Sequence, residues 1–221
     1  MKRFIALLGM FLPWSLRRAI LRSYFRYEIA DTCRIGFSLL YPKRLVMKDG
    51  ARIGSLTVCK DIDLLELGES ASVGNLTWIT GFPSGTTGHF EHQFDRRPEL
   101  LMGAHSAITN RHLIDCTERI RIGAFTTVAG FASQLLTHSI NLETNRQEAS
   151  PITIGTYCFL GTNCVLLGGS VLPDYSVLAA KSLLNKEYQE SCYLYGGVPA
   201  KPIKALDITN KYFQRRTGYV M

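Results

Sequence analysis

The sequence predicts an all-β solenoid, a stack of coils made of short strands that meet at corners, and two features of residues 151–184 carry that reading. Every sixth residue from Ile154 is aliphatic: Ile154, Leu160, Leu166, Leu172, Leu178 and Leu184. Ile, Leu and Val make up 53 of the 221 residues, so six such hits in a row are expected only ~0.04 times in a chain of this length. A period of six fits neither an amphipathic helix nor a simple alternating strand, but it fits flat faces that each send one aliphatic side chain inward. Three of the six are followed by a small residue, Gly155, Gly161 and Ala179, as expected where the backbone turns tightly.

Taken in order, residues 1–30 form an amphipathic helical segment ahead of the solenoid, which covers residues 31–206 and leaves a polar, basic tail at 207–221. The apolar run at 4–12 is too short to span a bilayer, and no small-x-small cleavage site follows it, which argues against secretion. Ile5, Leu8, Phe11, Leu12, Leu16, Ile20, Leu21 and Phe25 fall at helical spacing beside Lys2, Arg3, Arg17, Arg18, Arg22 and Arg26, with no acid before residue 28. Two readings stand: an interfacial helix on the cytoplasmic membrane leaflet through residues 1–27, or a cap across one end of the solenoid.

From Arg34 the aliphatic-then-glycine signature recurs at Ile35, Ile53, Leu67 and Val73, at uneven intervals that predict early coils of irregular length. Residues 81–99 break the pattern and read as a projecting loop containing His89 and His92. The period returns at Met102, Ile108, Ile114 and Ile120, shifts by two to Ile122, and is interrupted again over 135–150, which contains His138. Loops that interrupt a solenoid are a usual place for chemistry, because rigid coils hold them. The tail reads as a short helix or a frayed end.

The length allows one full core and little more. A net charge of +7 suggests an acidic or phosphate-bearing partner. The basic residues cluster in an apolar helix and not along an aromatic-interleaved stripe, so nucleic acid is not the partner that the sequence suggests. Six cysteines without a CxxC pair read as reduced thiols of a cytoplasmic protein.

Several words of the sequence resemble the hexapeptide-repeat acetyltransferases: THS at 137–139, PITIG at 151–155, FLGTN at 159–163 and GGVPAKPIK at 196–204. RHLIDCT at 111–117 and GFASQLLTHS at 130–139 resemble the branch found in exopolysaccharide and cell-surface glycan biosynthesis. The resemblance implies a left-handed parallel β-helix, a homotrimer with sites between subunits, acetyl-CoA as cosubstrate, no required metal, and a saccharide acceptor. It implies His138 as the general base, since an imidazole with a pKa near the working pH can take the proton of a weakly nucleophilic hydroxyl. It places Asp115 where similar enzymes hold an acceptor hydroxyl, with Asn110 and His112 beside it. Gly161, Thr162 and Ala180 match backbone contacts to the pantetheine arm, and Lys186, Lys201 and Lys204 match basic positions near the CoA phosphates. The chain departs from the pattern by one inserted residue between Asp115 and Ile122.

Two other readings compete. Similar β-helices include carbonic anhydrases with a three-histidine zinc site, for which His105, His112 and His138 are the available set. A solenoid scaffold without catalysis is the other, and under it removal of His138 changes nothing.

Overall fold

In a computed structural model, which describes residues 1–218 and 220, the aliphatic column points inward along its whole length: Ile154, Leu160, Leu166, Leu172, Leu178 and Leu184 are all fully buried. The chain winds through three sheets of seven, nine and seven strands. Successive coils add one strand to each sheet in parallel register, as where Ile152–Ile154, Phe159–Leu160 and Val165–Leu167 are followed by Val171–Leu172, Val177–Leu178 and Leu183–Leu184. The solenoid starts earlier than the sequence suggests, because Glu28–Ile29 already pairs with Val46 and Met47. It closes with an antiparallel pair, Tyr193–Gly197 and Ala200–Ala205.

The early coils are more regular than their spacing suggests. Ile53 stacks on Ile35 and Val73 on Ile53, 18 and 20 residues on, whereas Leu67 belongs to the preceding face. The shift at Ile122 has a related cause, for strands of the first sheet carry two inward residues, as at Leu65 and Leu67, Leu100 and Met102, and Ile120 and Ile122.

The small residue after the column serves stacking and not the turn. A Cβ on Gly123 would lie 2.4 Å from the carbonyl carbon of Gly155 in the next coil, and one on Gly161 would lie 2.6 Å from the Ala180 nitrogen. The left-handed turn comes later, mostly in residues that are not glycine: Tyr157, Asn163, Tyr175 and Lys181 have φ of 54–57°. At the corner from the first to the second sheet such residues form a ladder of rings, His105, Phe125, Tyr157 and Tyr175, with centroids 4.9, 4.6 and 5.3 Å apart. The tail is ordered against that ladder. Its 3-10 turn Lys211–Gln214 buries Phe213, and the Arg215 guanidinium donates to the Phe125 carbonyl.

The N-terminal segment is two helices, α1 (Lys2–Gly9) and α2 (Trp14–Ser23), separated at Pro13. Helix α2 caps the first coil: Leu21 is buried, as is Phe25 just beyond the helix, and buried Arg17 donates to the carbonyls of Gly36 and Ser38 at 2.6 and 2.5 Å. Helix α1 lies against Leu39–Tyr41, burying Ala6 and Gly9 while Met1, Phe4, Leu7 and Leu8 remain exposed. Among the described residues no helix is long and apolar enough to cross a membrane.

Candidate active site

Both interruptions of the repeat leave from the corner between the third and first sheets. The loop 81–98 follows Trp78–Thr80, and the antiparallel hairpin His138–Asn141/Arg146–Ala149 follows Gln134–Leu136, two coils further on. Gln93 ties them together, donating through Nε2 to the Ala149 carbonyl at 3.3 Å and accepting the Ala149 N–H at 2.9 Å. The coil between them supplies Asp115, at the end of Leu113–Asp115, where Asp115 pairs in register with Leu136.

Asp115 is 8 % exposed and gathers His138 around its carboxylate. Oδ2 meets His138 Nδ1 at 2.7 Å and accepts the backbone N–H groups of Thr137 and His138 at 3.0 and 3.1 Å. Oδ1 accepts the Thr117 hydroxyl at 2.6 Å. A carboxylate so engaged is spent on the chain's own groups, chiefly on His138, where the sequence leads us to expect a contact to an acceptor hydroxyl. Burial pushes its carboxyl up, but the hydrogen bonds from His138, Thr117 and Thr137 outweigh burial and hold it below the ordinary value. The Thr117 hydroxyl also sits 3.3 Å from His138 Nδ1.

His138 is half-buried, with Nδ1 held by Asp115 and no protein partner for Nε2 among the described residues. The Asp115 hydrogen bond raises its proton affinity, burial lowers it, the Asp115 charge raises it and the Arg96 charge lowers it, with a net rise above the ordinary value of 6.5. The rings of Phe82 and Phe90 stand edge-on to the imidazole, with centroids 5.6 and 6.1 Å away. One ring further out, His89 packs on Phe82 and meets Gln147 at 3.3 Å. There the loop and hairpin enclose a cleft of about 390 Å³ whose lining includes His89, Glu91, His92, Ile140 and Arg146.

Of the other expected acceptor residues, neither joins this site. His112 is fully buried, with Nε2 3.0 Å from the Thr109 hydroxyl and Nδ1 accepting the Ser133 N–H at 3.2 Å, and burial drops its pKa to about 4. Asn110 stands at the corner from the second to the third sheet and accepts the Asn75 N–H. The three histidines of the zinc reading are not brought together: His105 is in the ring ladder, and both nitrogens of His112 are engaged inside the coil. Cys116 is fully buried, and burial pushes its thiol well up, so it is a core residue beside Asp115.

The expected cofactor residues divide. Gly161, Thr162 and Ala180 share the corner from the second to the third sheet, where Ala180 is exposed and Lys201 lies nearby, paired with Gly196. The Thr162 hydroxyl donates to the Phe131 carbonyl at 3.0 Å. Lys204 pairs with Leu194 toward the other end of the same strand, and the Lys186 carbonyl accepts the Val171 N–H of the first sheet. The signals missed in the sequence were Phe82, Phe90, Arg96 and Thr117, which only coil stacking brings to His138.

The architecture is thus a parallel β-helix with an Asp–His pair set where two projecting elements meet. No protein-family model matches the chain, and no curated protein matches it. Solved structures do. The polysialic acid O-acetyltransferase OatWY is 16 % identical over 81 % of this chain and 84 % of its own, with a TM-score of 0.59. The polySia-specific acetyltransferase NeuO is 15 % identical over 84 % of each chain, with a TM-score of 0.52. A hexapeptide-repeat acetyltransferase from Vibrio cholerae is 19 % identical over 93 % of this chain and 89 % of its own, with a TM-score of 0.48. The fold is the left-handed parallel β-helix.

Proposed function

We propose that this protein is an acyltransferase of the hexapeptide-repeat kind, in the branch that modifies cell-surface glycans, and that it moves an acetyl group from acetyl-CoA to a saccharide hydroxyl by direct transfer. The observation that carries the reading is the Asp115–His138 pair, one nitrogen held at 2.7 Å and the other without a protein partner among the described residues. His138 Nε2 takes the proton of the acceptor hydroxyl as its oxygen attacks the thioester carbonyl. The new C–O bond forms, the C–S bond breaks, and the imidazolium returns the proton to the departing thiolate. Asp115 fixes the tautomer and stabilises the imidazolium, and a base so placed contributes roughly 10²- to 10⁴-fold. The acceptor enters through the cleft between loop and hairpin, Gly161, Thr162 and Ala180 form the corner proposed for the pantetheine arm, and Lys201 beside it is proposed to meet a CoA phosphate.

That corner and His138 lie on different edges of one chain, which supports the homotrimer with each site shared by two subunits. The exposed apolar side chains of α1, with Lys2 and Arg26, support a peripheral contact with the cytoplasmic leaflet that would bring a lipid-linked acceptor near.

Titration calorimetry with acetyl-CoA, followed by thiol release with a panel of saccharides, tests the reading on wild type and His138→Ala. Equal binding with loss of transfer in the variant is expected. Failure of wild-type protein to bind acetyl-CoA sinks it. For the membrane contact, Phe4→Ser with Leu8→Ser should abolish co-sedimentation with phosphatidylserine vesicles, and wild-type protein that stays in the supernatant refutes it.

A further inference from the structure

One buried charge at the site has no part in the proton transfer. Arg96, at the end of the loop 81–98, is only 6 % exposed, an uncommon state for a guanidinium. One of its terminal nitrogens donates both to the Phe82 carbonyl at the start of its own loop, at 3.0 Å, and to the Thr117 carbonyl of the neighbouring coil, at 2.7 Å. Its Cζ lies 4.0 Å from the centroid of the Phe90 ring, and its Nε is buried without a partner among the described residues. These contacts reach three residues beside the imidazole. Phe82 and Phe90 are its two walls, Phe82 in turn accepts the edge of His89, and Thr117 carries the hydroxyl bound to Asp115.

A loop of this length has no repeat to hold it, so fixing two of its rings against a histidine requires an anchor between loop and coil. Lysine would reach but has no planar fork to stack on a ring while meeting carbonyls. The burial of a cation also needs compensating anions, and those that act on Arg96 are Glu118, then Asp63, then Asp115. The charges around the imidazole are Asp115 from the coil and Arg96 from the loop. Asp63, itself paired with Lys43, and Glu118 act on Arg96, while Glu148 and Arg146 lie on the facing strand of the hairpin.

We propose that Arg96 is a positioning residue for the Asp115–His138 pair: it pins the projecting loop to the coil so that Phe82 and Phe90 wall the imidazole, and it sets a positive charge beside the pair that offsets Asp115. The offset keeps the base from being over-stabilised in its protonated form, which a base working near neutrality requires. The inference rests on reading His138 as the base, but the pinning and the charge can be measured on the free protein whether or not acetyl-CoA binds.

The test is an NMR pH titration of the His138 imidazole, with the Phe82 and Phe90 ring resonances followed in the same samples, in wild type, Arg96→Gln and Arg96→Lys. Loss of the charge in Arg96→Gln should move the His138 midpoint up by about 0.5–1 pH unit. Arg96→Lys keeps the charge, so the midpoint should stay within about 0.2 unit of wild type while both Phe rings lose their distinct shifts. An unchanged midpoint in folded Arg96→Gln overturns the electrostatic part. Unchanged ring resonances in Arg96→Lys overturn the positioning part, and that variant decides alone if Arg96→Gln does not fold.

Discussion

A histidine serves as a base when one nitrogen is held and the other is left for substrate, and the held side sets the pH at which it works. In His138 the carboxylate on Nδ1 lifts the imidazole above 6.5, so the neutral form, the one that the proposed mechanism needs, gains population only as pH rises through that raised value. Asp115→Asn removes the charge and leaves at most a neutral amide hydrogen bond to Nδ1. The acid limb of the pH–rate profile should move to lower pH, and the plateau should fall by up to the ~10²- to 10⁴-fold that a positioned base supplies. A profile that keeps its limb would show that Asp115 does not act on His138. The partnership was not legible in the sequence, because the two residues are 23 positions apart and meet only when one coil stacks on the next. His112 shows the converse. Read from its neighbours it belongs with Asp115, yet its side chain turns into the core. Its pKa of about 4 lies below the ordinary 6.5, so protonation favours the unfolded chain: its contribution is complete above about 6.5 and is lost as pH falls through 4. Urea unfolding should weaken over that window by on the order of 3 kcal/mol. His112→Leu should lose this dependence and start lower at pH 7 by about 1–3 kcal/mol, since the Ser133 N–H is left unpaired.

At the scale of the coil, the period of six was legible because each face contributes one inward side chain, and burial is a property that the sequence writes directly. What glycine does there was not legible, since its constraint comes from the adjacent coil. Gly123→Ala drives a methyl group into backbone 2.4 Å away, an overlap that no rotamer relieves, and should cost about 1–3 kcal/mol or more. Gly9→Ala in α1 meets nothing within 4 Å and should gain up to ~1 kcal/mol from helix propensity. Thermal unfolding of the two variants separates stacking from a general intolerance of glycine replacement: equal shifts would refute the stacking account. Leu166→Ala, in the middle of the column, should cost about 2–5 kcal/mol by the same measurement.

In the whole molecule the decisive fact is which corner each group occupies. His138 sits where the third sheet passes to the first, while Gly161, Thr162 and Ala180 sit where the second passes to the third. Residue order conveys none of this, because both corners recur once per coil and only the winding tells them apart. If a site joins the histidine corner of one subunit to the small-residue corner of its neighbour, two different defects can complement. His138→Ala removes the proposed base and leaves the other corner intact. Ala180→Trp fills the exposed corner with an indole and leaves His138 intact. Each variant alone should be inactive in thiol release from acetyl-CoA. Co-expressed in equal amounts, the two should assemble sites that draw one intact corner from each chain, so that about a quarter of all sites are whole. Recovery near that fraction would establish the shared site. No recovery, from variants that each fold and assemble like wild type, would mean that both defects fall in one chain's own site and that the corner assigned to the pantetheine arm is wrong.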